Sequence, residues 1–243
     1  MKVFSKSEIG SQRETNQDNC SFKVTENFVC AVVCDGVGGC KGGGVASGLV
    51  VQVVKKEAEN INSTDEDYLK GFLFDTAKKA NEAIYEKAKS SDELKNMGTT
   101  MVLSVICDGI IRLVYAGDSR AYLLSKSEPS IRQITTDHSI VQDMINQGHI
   151  TPDEAKVHPL RNVITRSLGT NLGVEFDYVK EEFPDESALL ICTDGLTNSL
   201  SDGEILNTFM ESQSAEEFVT STMTLAKERG GQDDVTILAA SKD

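Results

Sequence analysis

Residues 99–125, TTMVLSVICDGIIRLVYAGDSRAYLLS, contain short apolar runs that are rich in β-branched and aromatic residues. Such runs are typical of strands. They cover Thr99–Cys107, Ile110–Ala116 and Ala121–Ser125. The dipeptide Asp108-Gly109 separates the first two runs, and it indicates a tight hairpin because both residues tolerate a positive φ. We therefore predict antiparallel strands in this part of the chain.

The pattern changes from strand to helix on both sides of this stretch. Upstream, apolar residues recur every three to four positions after Asp67, which predicts an amphipathic helix capped by Thr64 or Asp65. Another helix is predicted over about Gly44–Ala58. Later helices are predicted over Glu204–Met210 and Ala215–Glu228, and further strands over Phe22–Val24, Phe28–Cys34, Val174–Lys180, Ala188–Cys192 and Val235–Ala239. This order predicts sheet packed against sheet, with helices on the outside.

A polar insert interrupts the strands at about Asp137–Gly173. It contains all 3 histidines of the chain, His138, His149 and His158, and their spacing does not match a metal site. We interpret the insert as a small helical excursion from the sheet, and we expect residues 1–243 to form a single domain. We expect His138 to act as a cap or to pack beneath the insert, and His158, which precedes a proline, to lie in a turn.

The charge, the apolar stretches and the cysteine content of the chain argue against several classes of function. The chain carries 24 Lys and Arg residues against 38 Asp and Glu residues, a formal net charge of −14. This charge argues against a nucleic acid or an anionic membrane as partner, because both need a basic surface. No apolar stretch approaches the ~18 residues of a membrane span, and the first residues lack the apolar core of a signal peptide. The 6 cysteines form no Cys-x-x-Cys motif, so we expect reduced thiols in a monomeric, cytoplasmic protein.

Aspartates stand at the ends of several predicted strands. They are Asp35, Asp118 and Asp194 after strands, and Asp18 and Asp233 before them. Ordinary turn chemistry explains any one of these positions. Sheet packing can bring several strand ends together, however, and clustered carboxylates cannot all stay ionised without a cation. Because an all-oxygen ligand set selects hard ions, the pattern predicts Mg²⁺ or Mn²⁺, with room for two ions that share one carboxylate.

An ordered set of short motifs spans nearly the whole chain. The motifs are GSQRETNQD at 10–18, DGVGG at 35–39, MGTT at 97–100, AGDSRAY at 116–122, TDHS at 136–139, HPLRNVITR at 158–166, CTDGL at 192–196 and GGQDDVT at 230–236. Each motif is weak alone, but the ordered set is specific. On these motifs the chain resembles the metal-dependent protein phosphatase family of the 2C type (PPM), in its compact bacterial serine/threonine form.

The resemblance implies an α+β fold. The expected architecture is a four-layer αββα sandwich, in which helix pairs flank two antiparallel sheets and the insert at about 137–173 forms a flap over the site. The implied activity is hydrolysis of phosphoserine and phosphothreonine in proteins by a water that bridges two Mn²⁺ or Mg²⁺ ions. The implied substrates are phosphoproteins, supplied by a cognate serine/threonine kinase.

The resemblance also implies metal ligands. Asp35 bridges both core ions, and the backbone carbonyl of Gly36 binds one of them. Asp194 and Asp233 hold the other ion. Asp18 contacts the site through a water. These four aspartates and one glycine form the implied core metal centre.

Two further residues have implied roles, and several positions depart from the family pattern. Arg13 binds the substrate phosphate, and Asp118 helps to hold a weaker third ion. Gln17 stands where many members have Glu, and Asn198 stands where an Asp often assists the third ion. Asp234 takes the place of the usual Asn.

The remaining departures concern acid catalysis and the glycine run. Val37 stands where the animal enzymes have a histidine proposed as the general acid, and Cys40 replaces a polar residue. The sequence has no His-Cys pair of a cysteine phosphatase, no Walker A loop and no Gly-x-Ser-x-Gly elbow.

A second hypothesis is a catalytically weak regulatory module that binds phosphoproteins, a pseudophosphatase. Mn²⁺-dependent hydrolysis of p-nitrophenyl phosphate separates the two hypotheses.

Overall fold

A computed structural model describes residues 1–37 and 42–242, so the end of the 35–39 motif and Cys40 lie outside the described residues. Strands and helices are numbered in chain order. The strands are β1 (Lys2–Glu8), β2 (Asn19–Val24), β3 (Val29–Cys34), β4 (Gly36–Val37), β5 (Gly98–Thr99), β6 (Met101–Cys107), β7 (Ile110–Ala116), β8 (Arg120–Ser125), β9 (Ser130–Gln133), β10 (Asp177–Glu182), β11 (Ser187–Cys192) and β12 (Val235–Ser241). The helices are α1 (Gly43–Ala58), α2 (Glu66–Ala88), α3 (Ile140–Asn146), α4 (Pro152–Lys156), α5 (Asp194–Thr197), α6 (Asp202–Glu211) and α7 (Ala215–Glu228).

Most strands belong to two antiparallel, 5-stranded sheets. One sheet has the order β1-β12-β11-β8-β9, and the other has the order β10-β7-β6-β3-β2. The predicted hairpin is confirmed: Cys107 pairs with Ile110, and Asp108 and Gly109 between them have φ values of 52° and 69°. Both values lie in the left-handed region that a two-residue hairpin turn requires.

Apolar side chains fill three spaces between the layers. Val33 of β3 packs between the sheets, in the same cluster as Leu189 and Leu238 of the opposite sheet. Its neighbour Val32 points the other way and joins the cluster beneath α1 and α2, as expected for successive strand residues. A third cluster lies between the β1-β12-β11-β8-β9 sheet and helices α6 and α7. The layers are therefore helix pair, sheet, sheet, helix pair, which confirms the predicted αββα sandwich.

The N-terminus of α2 lies where the sequence places it. The Asp65 side chain accepts a hydrogen bond from the Tyr68 amide at 3.1 Å, so Asp65 rather than Thr64 is the cap. In the first turn, Glu66 ties the helix to β7 and β10. Its carboxylate binds Arg112 at 2.8 Å, Lys180 at 2.9 Å and the Tyr178 hydroxyl at 3.0 Å.

Two edge strands, β1 and β9, are absent from the sequence-based prediction. Their sequences are KVFSKSE and SIRQ, which lack the apolar run of a buried strand. Backbone pairing with β12 and β8 holds them in place. The start of β10 also differs, because it begins at Asp177 rather than at Val174. Val174 and Phe176 instead pack against the core beneath α1 and α2.

The polar insert leaves and rejoins the body of the protein at one place. Ser139 and Ile164 form an isolated bridge, and the Thr165 amide donates to the His138 carbonyl at 2.8 Å. Helices α3 and α4 lie between these contacts, so the predicted helical excursion is confirmed. That residues 1–243 form one domain stays a prediction. Within the two described ranges, no helix is both long and apolar enough to cross a membrane.

Candidate active site

The predicted strand-end aspartates meet at one end of the sandwich. Asp35 follows β3, Asp118 lies between β7 and β8, and Asp194 follows β11. Asp18 and Asp233 precede β2 and β12. In antiparallel sheets, the end of one strand lies beside the start of its neighbour. The structure therefore brings all of these side chains into one electrostatic cluster, in which the charge of one shifts the pKa of another.

Burial and mutual repulsion raise the pKa values of four of these carboxyl groups, those of Asp18, Asp35, Asp118 and Asp194. Burial raises the pKa of Asp35 well above its usual value, and the charges of Asp18 and Asp194 raise it further. Burial also raises the pKa of Asp18 and of Asp118 to about 7. The pKa of Asp194 rises because of burial and then the charge of Asp233. A bound cation favours the ionised form of every member of such a cluster.

Asp18 carries an oxygen without a partner. Its Oδ2 accepts a hydrogen bond from the Thr193 hydroxyl at 2.8 Å, whereas its buried Oδ1 has no hydrogen-bond partner among the described residues. Thr193 Oγ1 also accepts the Thr236 amide hydrogen at 2.9 Å. The Thr193 hydroxyl therefore connects the Thr236 amide to the Asp18 carboxylate. Buried polar atoms are rarely left unpaired. An unpaired carboxylate oxygen beside other carboxylates fits a cation ligand.

The threonines of the 97–100 motif fix the backbone of Asp35. The Asp35 amide donates to Thr100 Oγ1 at 2.9 Å. The Asp35 carbonyl accepts from the Thr100 amide at 2.9 Å and from Thr99 Oγ1 at 2.7 Å. Thr100 Oγ1 also lies 2.6 Å from the hydroxyl of Ser119, which adjoins Asp118. This motif therefore links two of the clustered aspartates, a role that its sequence did not suggest.

Gly36 lies where only a glycine fits. A Cβ at this position would lie 2.4 Å from the Gly43 carbonyl carbon and 2.6 Å from the Gln17 carbonyl oxygen. A Cβ on Gly43 would lie 2.1 Å from Gln17 Oε1. The first turn of α1 thus packs directly against the segment that carries Asp18, and the backbone of Gly36 lies close to both.

Arg13 lies beside the cluster and pairs with Asp233. Its Nε and Nη2 atoms donate to the two carboxylate oxygens at 2.7 and 2.6 Å, while 48% of its side chain stays exposed. Asn198 donates in a similar way to Asp194 Oδ2 at 3.0 Å. Each of these acids therefore faces a protein donor. Within the described ranges, no three Asp, Glu, His or Cys side chains already form a group that could hold a metal ion.

Two histidine predictions are confirmed. The His138 ring is buried and stacks on Tyr115 with ring centroids 5.0 Å apart, and its Nδ1 accepts the Gly117 amide hydrogen at 3.1 Å. Because Gly117 precedes Asp118, this contact joins the base of the insert to the turn that carries Asp118. His158 lies in a turn, where its Nδ1 accepts the Leu160 amide hydrogen at 3.1 Å.

The family model for protein phosphatase 2C matches residues 8–236. The chain belongs to the protein phosphatase 2C family. The serine/threonine phosphatase Stp of Listeria monocytogenes is 32% identical over 238 residues, which cover 96% of this chain and 93% of that protein. The crystal structure of the serine/threonine phosphatase Stp1 from Staphylococcus aureus is 33% identical with a TM-score of 0.92, covering 99% of this chain and 94% of that one.

A second similar structure bears on the metal content of protein phosphatase 2C enzymes. The catalytic domain of the serine/threonine protein phosphatase PstP, in complex with 2 manganese ions, is 30% identical with a TM-score of 0.86. That match covers 100% of this chain and 98% of the other. The donor set of the present chain fits such hard cations, because it consists of carboxylates that repel one another and includes an unpaired buried oxygen.

Two functional candidates in this protein phosphatase 2C chain, Thr193 and Asp234, were given no role in the sequence analysis, although Asp234 was noted there as a departure from the usual Asn. Thr193 binds Asp18, and Asp234 binds the loop that carries Arg13. Both adjoin a predicted metal ligand, Asp194 or Asp233, and that adjacency is the signal by which they could have been found.

Proposed function

We propose that this chain hydrolyses phosphoserine and phosphothreonine in proteins with Mn²⁺ or Mg²⁺ as cofactor. The observation that carries the proposal is the convergence of strand-end aspartates beside a half-exposed arginine, in a member of the protein phosphatase 2C family. The names of the similar phosphatases support the substrate class, and the PstP complex supports two core ions.

The proposed core ligands are those of the sequence analysis. Asp35 would be shared by both ions, because its carboxyl group interacts with every other acid of the cluster. The Gly36 carbonyl would bind one ion, and Asp194 and Asp233 the other. Asp18 would contribute through a water, with its Oδ1 free for that contact.

A third, weaker ion is proposed at Asp118. The pKa of Asp118 responds first to burial and then to the charges of Asp194 and Asp137. Its position between β7 and β8 is therefore close to the core acids. Asn198 already contacts Asp194 at 3.0 Å, but it brings no charge, so a third ion would be held by few anionic ligands.

Two divalent cations would supply Lewis-acid chemistry, namely a hydrolytic water of lowered pKa and neutralisation of charge on the phosphoryl oxygens. Arg13 would orient the substrate. Its guanidinium presents two parallel N–H donors that match phosphoryl oxygens as well as they match the Asp233 carboxylate. Transfer of Arg13 from Asp233 to the substrate would free Oδ2 of that acid, whereas Oδ1 would keep the Asp234 amide hydrogen that it accepts at 2.8 Å. One movement would therefore bind the phosphate and uncover a metal ligand.

No histidine is assigned to the leaving group. His138 binds the Gly117 amide, and His158 binds the Leu160 amide. Val37, at the position of the histidine in the animal enzymes, cannot donate a proton from its side chain. We therefore assign protonation of the leaving oxygen to water.

We further propose that the chain acts as a cytoplasmic monomer on substrates of a cognate serine/threonine kinase. Its net charge of −14 supports a function without nucleic acid or membrane. The free thiols of Cys30, Cys34, Cys107 and Cys192 are all buried, which supports a reducing compartment.

The test is the release of phosphate from a phosphothreonine peptide as Mn²⁺ is added. We expect Mn²⁺-dependent turnover in the wild type, and we expect Asp35→Asn to lower it by about two to four orders of magnitude without unfolding the protein. Asp108→Asn, in the hairpin between β6 and β7, is the matched control and should keep full activity. Near-normal turnover by folded Asp35→Asn would refute the ligand assignment. Binding of the peptide without turnover would favour the regulatory module.

A further inference from the structure

One buried carboxylate holds both ends of the loop that carries Arg13. Asp234 is only 4% exposed. Its Oδ1 accepts the Gly10 amide hydrogen at 3.0 Å, and its Oδ2 accepts the Gln17 amide hydrogen at 2.8 Å. The proposed mechanism gives this residue no role, although it is buried, charged and adjacent to a proposed metal ligand.

Between these two anchors, the loop lies directly on residues 230–233. Hydrogen bonds of 2.8 and 3.2 Å run from the amides of Ser11 and Gln12 to backbone carbonyls of that segment. A Cβ on Gly10 would lie 2.3 Å from the same backbone. The position of Arg13 relative to Asp233 therefore depends on how this loop packs on the backbone of residues 230–233.

A carboxylate suits this position and an amide does not. Both partners of Asp234 are N–H donors, so the site needs two acceptor oxygens. An Asn side chain has one acceptor oxygen, and its NH₂ group would face an N–H group. The presence of Asp rather than the usual Asn at position 234 is therefore explained by its two contacts, with the amides of Gly10 and Gln17.

We propose that Asp234 is a positioning residue for the phosphatase reaction. It fixes the loop of residues 10–17, and through the loop it places the Arg13 guanidinium where the phosphoryl group binds. Asp234 acts through Arg13 and does not touch the substrate. The inference rests on the proposed function in one respect, the role of Arg13 as phosphate ligand.

The experiment compares Asp234→Asn, Arg13→Ala and the double variant at saturating Mn²⁺, with p-nitrophenyl phosphate as substrate and inorganic phosphate as competitive inhibitor. Loss of one hydrogen bond to the loop should raise KM and the inhibition constant of phosphate about three- to tenfold, with kcat changed less than about twofold. In the Arg13→Ala background, Asp234→Asn should add almost nothing, because no guanidinium is left to misplace. Asp65→Asn, which alters a carboxylate that accepts an amide hydrogen at the start of α2, is the control and should leave both constants unchanged.

Amide hydrogen exchange measures directly whether Asp234 holds the loop of residues 10–17 in place. Asp234→Asn should speed exchange across residues 10–17 and leave the β6–β7 hairpin unaffected. Asp234→Ser, which keeps one short acceptor, has the same expectations and serves if Asp234→Asn does not fold.

Three results would overturn the proposal. Faster exchange with an unchanged phosphate constant would mean that Asp234 holds the loop without placing Arg13. An equal effect of Asp234→Asn with and without Arg13 would mean that it acts by another route. An unchanged phosphate constant in Arg13→Ala would remove the residue through which Asp234 acts. Failure of the proposed function is separate from all three, because it would show as the absence of Mn²⁺-dependent turnover in the wild type.

Discussion

Thr193 shows how one hydroxyl group can organise a charged site. The residue is fully buried, donates to Asp18 and accepts from the Thr236 amide. The donated hydrogen bond favours the ionised form of Asp18, although burial pushes its pKa in the opposite direction. It also orients the carboxylate so that Oδ1 is left for another partner. Residues that orient a metal ligand in this way tune metal affinity without touching the ion.

We therefore expect Thr193→Val to weaken Mn²⁺ binding about tenfold, within the range seen when outer partners of metal ligands are removed. Thr193→Ser keeps the hydroxyl and should bind Mn²⁺ within about twofold of the wild type. Thr222→Val is the matched control, because Thr222 is also fully buried but its hydroxyl has no hydrogen-bond partner among the described residues. Titration calorimetry measures all four proteins. Equal affinities for Thr193→Val and Thr222→Val would contradict the role of Thr193.

The proposed third ion gives a second prediction at this scale. Asp118→Ala should leave two ions bound but lower activity, and Asn198→Asp should shift Mn²⁺ activation to lower concentration, because it adds an anion beside Asp194. A charge-poor site of this kind should bind in the millimolar range. Titration calorimetry measures how many ions are bound at each Mn²⁺ concentration, and an activity assay over the same concentrations shows whether a third ion is needed. Activity that saturates as soon as two ions are bound would speak against a third.

Among the secondary-structure elements, α2 is attached to its sheet by a charged cluster at Glu66. Hydrogen bonds from Lys180 and then Arg112 lower the pKa of Glu66 to about 2. Because the folded-state pKa lies below the unfolded value of about 4.3, the ionised carboxylate stabilises the fold above that value. This contribution is lost as the pH falls towards 2.

We expect wild-type stability to fall more steeply than that of Glu66→Gln between pH 5 and pH 2.5, as measured by urea unfolding. The Glu66 side chain is 36% exposed, so solvent screening limits the difference to about 1 kcal/mol or less. Glu82→Gln, on the exposed face of the same helix, should follow the wild type. Parallel pH curves for wild type and Glu66→Gln would show that the cluster adds nothing to stability.

The elements also show which parts of the structure the sequence could predict. Helices and the Asp108-Gly109 hairpin were predictable because their signals lie within a few residues. The strands β1 and β9 were not, because pairing with β12 and β8 holds polar segments that have no strand pattern of their own. The same limit applies to the site. Turn patterns and family motifs located the aspartates, but the Asp234–Gly10 contact joins positions 224 residues apart and leaves no local trace.

For the whole molecule, the acidic cluster opposes folding when no cation is bound. The pKa of Asp18 and of Asp118 is about 7 in the folded protein, against an ordinary aspartate value of 3.8. A raised pKa means that the folded state binds the proton more tightly. The stability that these two groups contribute is therefore fully present below about pH 4 and is lost as the pH rises towards 7. A net charge of −14 adds general repulsion in the same direction.

In EDTA, we therefore expect the unfolding temperature to fall between pH 5 and pH 8, and Asp118→Asn to remove part of that fall. A gain of about 1 kcal/mol would raise the midpoint by about 2–4 °C for a chain of this size. Asp108→Asn should behave as the wild type. In millimolar Mn²⁺, the wild type should instead unfold at a higher temperature than Asp118→Asn, because the wild type binds the ions better. A wild type that grows more stable from pH 5 to pH 8 in EDTA would contradict this account.

The pairing of β1 with β12 has a consequence for biosynthesis. Lys2 lies opposite Ser241, and Glu8 opposite Val235, so the first strand leaves the ribosome long before its partner exists. At ~5–20 residues per second, the wait is about ten to fifty seconds. The residues that hold the loop of residues 10–17 and Asp18 in place, Asp234 and Thr193, also lie near the end of the sequence. A nascent chain therefore cannot assemble its catalytic centre, and phosphatase activity should switch on only when translation reaches the last strand.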